Sequence, residues 1–207
     1  MASCDCPAPT ELTDVPANTC SIDWARVRKF SICRQQIWVS TSTGAVSTVA
    51  QIATESEWAT ALAATDVTKQ VISALFGEYT KAPGAAQTTE FDGDTKNTGN
   101  YDPTTSTFQF QGATSDQLAA MDTLACEETL FVILFDNKQK IIHGLSGTVP
   151  IGFPLAPKSF SVTDMYQDEA GNFIKADGSF QLADGWSKTT DVTATAAAFE
   201  PLTDLTN

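Results

Sequence analysis

Residues 128–144 read ETLFVILFDNKQKIIHG, and the reading of this stretch decides the fold class. Leu130–Phe135 are six apolar residues in succession, too few for a buried helix and the right number for a strand covered on both faces. Asp136–Gln139 suit a turn, and Lys140–Gly144 bring the chain back as a second strand. Just upstream, TSDQLAAMDTLA (114–125) predicts a helix. Thr114 and Gln117 have capping-box spacing, and Leu118, Met121, Leu124 and Ala125 form one buried stripe. Before it, STFQFQG (106–112) alternates, with Phe108 and Phe110 on one face and Gln109 and Gln111 on the other. The unit is strand, helix, strand, hairpin.

Outward from that unit, RVRKFSICRQQIWVSTS (26–42) has strand character at Val27, Phe30, Ile32, Ile37 and Val39. TESEWATALAAT (54–65) predicts another short helix, capped by Thr54 with Glu57 three residues on. Its buried stripe is Trp58, Ala61, Leu62 and Thr65. KQVISALFGEY (69–79) reads as a strand, and the polar segment at about 82–106 as an exposed loop. VPIGFPLAP (149–157) is too rich in proline for an interior strand. KSFSVTDMY (158–166) alternates with Phe160 and Val162 inward. NFIKADGSFQLADGW (172–186) predicts a hairpin turning at Asp177-Gly178, and DVTATAAAFEPL (191–202) a closing strand with a tail. The expectation is a mainly β protein, an antiparallel sandwich or barrel with two short helices. Residues 1–21 read as an extended arm and 22–207 as a single β-rich domain.

Composition narrows the function. A chain of 207 residues with 42% hydrophobic content can bury a real core. No stretch approaches a membrane span, and the N-terminus lacks the basic and apolar regions of a signal peptide, so a cytoplasmic site of synthesis is expected. The net charge of −13 argues against a nucleic-acid binder. Basic residues gather at Arg26, Arg28, Lys29 and Arg34, while the chain after Asp164 is strongly acidic. That asymmetry could steer subunits together or simply be a solvated surface. Five cysteines exclude a complete disulfide framework. Cys4, Cys6 and Cys20 lack zinc-knuckle spacing, and Cys33 and Cys126 read as reduced thiols.

The chemistry-bearing residues form no catalytic set. His143 is the only histidine, and it reads as a structural or surface residue ending a strand. Ser146 stands in GLSGT, which lacks nucleophile-elbow spacing, and Cys126 would need the fold to bring it beside His143. Asp92-Gly93-Asp94 opens like a calcium loop, but Pro103 occupies the position of the bidentate glutamate. Trp24, Trp38 and Trp58 are dispersed, and Trp186 with Tyr166 could serve a sugar surface if exposed. No catalytic, cofactor-binding or metal-ligating residue is assigned. The expectation is a protein that is not an enzyme and uses no cofactor.

Two segments carry a resemblance. LTDVPANTCSIDWARVRKFSICRQQ (12–36) opens with an acid–Val–Pro turn at Asp14–Pro16, a cysteine at Cys20 and a short basic strand. It resembles the start of virion structural proteins of tailed bacteriophages, particularly those infecting Bacteroidetes. STFQFQGATSDQLAAMDTLACEETLFVILFDNKQKIIHG (106–144) resembles the strand–helix–hairpin unit of tail-tube and related head–tail proteins. The resemblance implies a β-sandwich lending hairpins to a barrel around a lumen. It also implies a homo-oligomeric ring, other virion proteins as partners, and DNA only as passing cargo. Its site would be the virion, assembled in the host bacterial cytoplasm, with no membrane partner. A capsid decoration or head–tail connector protein, or a carbohydrate-binding fibre module, would use a similar sandwich.

Overall fold

The computed structural model describes residue 22 and residues 24–36, 48–91, 94–112, 114–167 and 174–206. The expected arm at 1–21 lies outside these, as do Cys4, Cys6, Cys20, Trp38 and the Asp92-Gly93 pair. In chain order the strands are β1 (Val27–Cys33), β2 (Val71–Ile72), β3 (Phe76–Ala82), β4 (Ala86–Phe91), β5 (Asp94–Tyr101), β6 (Thr104–Gln111), β7 (Phe131–Asp136), β8 (Lys140–Ser146), β9 (Val149–Ile151), β10 (Phe153–Pro154), β11 (Ser161–Val162), β12 (Tyr166–Gln167), β13 (Ile174–Leu182) and β14 (Thr190–Ala194). The helices are α1 (Val49–Ile52), α2 (Glu55–Ala63), α3 (Ser115–Ala125) and α4 (Pro201–Asp204). The protein is mainly β, with antiparallel sheets and two helices of seven residues or more.

The first sheet runs β14-β8-β7-β1-β2, with β9 and β10 added beside β8 and β7; the second runs β11-β13-β6-β3, with β12 beside β13. Between the sheets lies an aromatic core. Phe30 of β1 sits 5.0 Å from Phe108 and 5.8 Å from Phe180, edge to face in both cases. The other face of the first sheet is buried too. There Ile133, Phe135 and Ile141 meet Trp58 of α2, Ile52 of α1 and Phe199 and Leu205 near α4. This double burial explains the unbroken apolar run of β7. Val132 and Leu134 point into one cluster, Ile133 and Phe135 into the other.

The second face also buries polar groups, each with a partner. Ser31 donates to Gln70 Oε1 at 2.6 Å. Lys29, 4% exposed, donates to the carbonyls of Leu202 at 3.1 Å, Pro201 at 3.5 Å and Leu205. Burial pushes its amine down to about 8, and the nearby Asp204 carboxylate opposes that shift. Lys29 is therefore no part of a basic surface. It ties the C-terminal turn to the centre of the sheet.

Several local expectations change once the chain is folded. Thr114 and Gln117 form their capping box, with Gln117 N–H donating to Thr114 Oγ1 at 3.3 Å and Thr114 N–H to Gln117 Oε1 at 3.1 Å. Thr54 does not: its side chain is turned toward α1, donating to the Gln51 carbonyl at 2.8 Å, and makes no cap bond. The single strand expected over 69–79 is two, since the chain leaves the first sheet after Ile72 and joins the second at Phe76. Asp177-Gly178 is no turn. Both lie inside the continuous strand β13, where Gly178 faces inward opposite Phe108. A Cβ at Gly178 would stand 2.2 Å from the Phe108 ring, so the glycine makes room for an aromatic rather than for a bend. The proline-rich 149–157 segment, expected to stay out of a sheet interior, supplies two short strands, β9 paired with β8 and β10 with the central strand β7, Phe153 opposite Val132.

The polar segment at 82–106, expected as a loop, is mostly strand. β4 and β5 pair as an antiparallel hairpin from Ala86↔Tyr101 to Phe91↔Asp94. Threonine and other short polar side chains permit the extended ribbon without the apolar alternation that would have announced it.

Candidate functional site

His143 is the first test of a catalytic reading. It lies inside β8, which continues to Ser146, and is fully buried. Its Nδ1–H donates to the Gly144 carbonyl at 2.7 Å, leaving Nε2 to accept from Thr193 Oγ1 at 2.9 Å. Both nitrogens are thus used by a neutral ring. Burial holds its pKa below the usual histidine value, against the Gly144 carbonyl and the Asp191 carboxylate 4.0 Å away. Cys126 caps α3 at the surface and is not among these contacts. The ring is fully buried and bonded to the Gly144 backbone and to the Thr193 hydroxyl of β14, the partner strand.

The protonation state has a measurable consequence. The unfolded chain takes up a proton at His143 near pH 6.5, whereas the folded chain does so only at lower pH. The unfolded state therefore binds more protons in that window, and stability falls as pH drops below about 6.5, by at most about 1.4 kcal/mol per pH unit. Urea titrations across that range should show the slope, and His143→Gln should remove it. An imidazole titrating at or above 6.5 by NMR would contradict the assignment.

The two remaining aromatic candidates part company. Trp186 is buried; its Nε1–H donates to Thr104 Oγ1 at 3.1 Å, and its ring meets Trp24 at 5.5 Å and Phe153 at 5.4 Å. Tyr166 is exposed. Among the described residues no group of three or more His, Cys, Asp or Glu could hold a metal ion, and no helix is long and apolar enough to cross a membrane.

What the structure builds instead is a mounted hairpin. β3 runs out of the second sheet into β4, and β5 returns into β6, so the β4–β5 ribbon continues one edge of the sandwich. It forms a sheet of its own, and Ala85–Glu90 are all exposed. The root is tightly held. Asp102 N–H donates to the Ala85 carbonyl at 2.8 Å, and Gln87 Nε2 to Asp102 Oδ1 at 3.0 Å. The Asp102 carbonyl occupies the place of a Cβ at Gly84, 1.6 Å from it, so only glycine permits the two chains to approach there.

Lys81, one residue before the end of β3, carries its ammonium 3.5 Å above Trp24 and 4.0 Å above Trp186. Burial pushes this amine down to about 8, while the two indole faces favour the charged form and work against that shift. The clamp lines a cleft of about 740 Å³ together with Pro83, Gly84, Asp102 and Thr104 at the hairpin root. Trp24 and Trp186 stand out in the sequence, and the lysine between them does not. The three lie far apart in the chain, and no spacing signals their meeting.

No protein-family profile matches the chain, and no curated protein matches it.

Proposed function

We propose that this chain is a non-enzymatic structural subunit of a phage virion, tail-tube-like, assembling with copies of itself into rings. The observation that carries the reading is the β4–β5 hairpin. A two-stranded ribbon on its own is marginal in water, and among the described residues β4 and β5 form a sheet of only two strands. A ribbon held at its root and carried beyond the sandwich suits an element that packs against a neighbouring subunit. Closed rings arise naturally when one patch of a subunit meets a different patch of the next. The virion setting rests on the resemblance of residues 12–36 and 106–144. On this reading other virion proteins are further partners, and DNA passes a surface whose net negative charge does not hold it.

The test is negative-stain electron microscopy with mass photometry over a concentration series. The full chain is expected to give rings or stacked tubes. A variant with residues 86–101 replaced by a short glycine turn should stay folded and monomeric. A full chain that is monomeric at every concentration, or a hairpin-less variant that still forms rings, would overturn the proposal.

A further inference from the structure

The outer face of the second sheet has a character of its own. Across it run two rows of short polar side chains. Thr80, Thr107, Ser179 and Ser161 form one, in register on adjacent strands. Thr80 and Thr107 hydroxyls lie 2.6 Å apart, and those of Ser161 and Ser179 lie 3.0 Å apart. The second row is Glu78, Gln109 and Asp177. Here Gln109 Nε2 donates to Asp177 Oδ1 at 3.0 Å and to Tyr166 Oη at 3.1 Å, while Tyr166 Oη donates to Asp177 Oδ2 at 2.8 Å. The exposed Tyr166 ring is thereby fixed in place at one margin.

The two rows line a groove of about 390 Å³, within the size range of small-ligand sites. Hydroxyls, an amide and two carboxylates rim it, while Phe108 and Gly178 contribute apolar surface to its lining. Its lining includes Glu78 and Asp177 but no lysine or arginine; Lys175, paired with Tyr166 between β12 and β13, lies outside the lining, so the groove itself disfavours phosphate and sulfate. Two carboxylates fall short of a metal-binding set among the described residues. A neutral molecule rich in hydroxyls, with one ring face free to lie on Tyr166, complements these groups.

We propose that this sheet face is a glycan-binding groove, taking a neutral oligosaccharide across the hydroxyl rows and against Tyr166. The hydroxyls and Gln109 both donate and accept, and the carboxylates accept from sugar hydroxyls by charge-assisted bonds. The role is separate from ring formation, because it uses the broad face of the second sheet and not the hairpin.

The experiment is saturation-transfer NMR and calorimetry on the full chain with maltohexaose, xylohexaose, laminarihexaose and chitohexaose at millimolar concentration. At least one is expected to bind. Ser179→Arg, which fills the groove from an outward-facing position, should weaken it about tenfold or more with an unchanged thermal melt. Tyr166→Ala should weaken the same sugar. Failure of all these sugars to bind, or equal binding by the Ser179→Arg chain, would overturn the proposal. So would a Ser179→Arg chain that loses its assembly while the parent binds no sugar, since the face would then be a contact between copies.

Discussion

Val132→Asp is expected to leave no folded subunit, rather than a folded subunit that fails to assemble. Val132 is fully buried in β7, at the centre of the first sheet and against the inter-sheet core. A carboxyl placed there escapes the cost of a buried charge only by taking up a proton. At pH 7 that protonation alone costs roughly 4 kcal/mol, from an ordinary pKa near 3.9. Losing the burial of the valine adds roughly 2 kcal/mol. A total of about 6 kcal/mol matches or exceeds the stability of a domain at the lower end of the ordinary range of about 5–15 kcal/mol, where this chain is expected to lie. Circular dichroism and the soluble fraction on expression read the result directly. Soluble, folded, monomeric Val132→Asp protein would mean that this strand serves the surface and not the core.

Trp58→Ala is expected to cost about 3–5 kcal/mol, measured as a fall in the urea midpoint. The indole is fully buried on the opposite face of the same sheet, 5.1 Å from the Phe135 ring and nearly perpendicular to it. Its Nε1–H satisfies the Ile52 carbonyl at 2.8 Å, so truncation leaves both a cavity and an acceptor without its donor. Trp58→Phe should recover part of the loss, since a ring remains while the hydrogen bond does not. Hydrogen exchange should show α1 and α2 loosened more than β6 and β13, because the two clusters share only the first sheet. A loss below about 1 kcal/mol would show that the helical layer contributes little to holding the sheet.

Legibility tracked the range of the interaction. The strand at Leu130–Phe135, the alternation of Phe108 and Phe110, and the Thr114–Gln117 box were all readable, because each depends on neighbours a few residues away. The same box at Thr54 and Glu57 did not form. There the Thr54 hydroxyl is turned back toward α1, donating to the Gln51 carbonyl, and accepts nothing from the Glu57 N–H. The Asp-Gly pair at 177–178 carried a turn signal that the fold overruled, since the glycine was required by a ring 70 residues away. The hairpin at 86–101 carries no apolar alternation, so nothing in its sequence marks it as paired strands.

The candidate sites divide in the same way. His143 could be weighed from sequence as a lone histidine without a nucleophile beside it. Its burial and its bond to Thr193 could not, since β14 joins β8 from 50 residues away. Tyr166, Trp24 and Trp186 stand out singly in the sequence, but neither the Lys81 clamp nor the groove beside Tyr166 is signalled by spacing or composition.

Composition and local periodicity by themselves determined that this is a β-rich chain with two short helices and a strand buried on both faces. They could do so because backbone conformation and side-chain alternation are decided over a few residues. Tertiary structure alone decided that Gly178 accommodates Phe108, that Lys29 is buried under the C-terminal turn and that Trp24 and Trp186 enclose Lys81. Those outcomes depend on which strands become neighbours, and that is settled by burial of the whole chain at once.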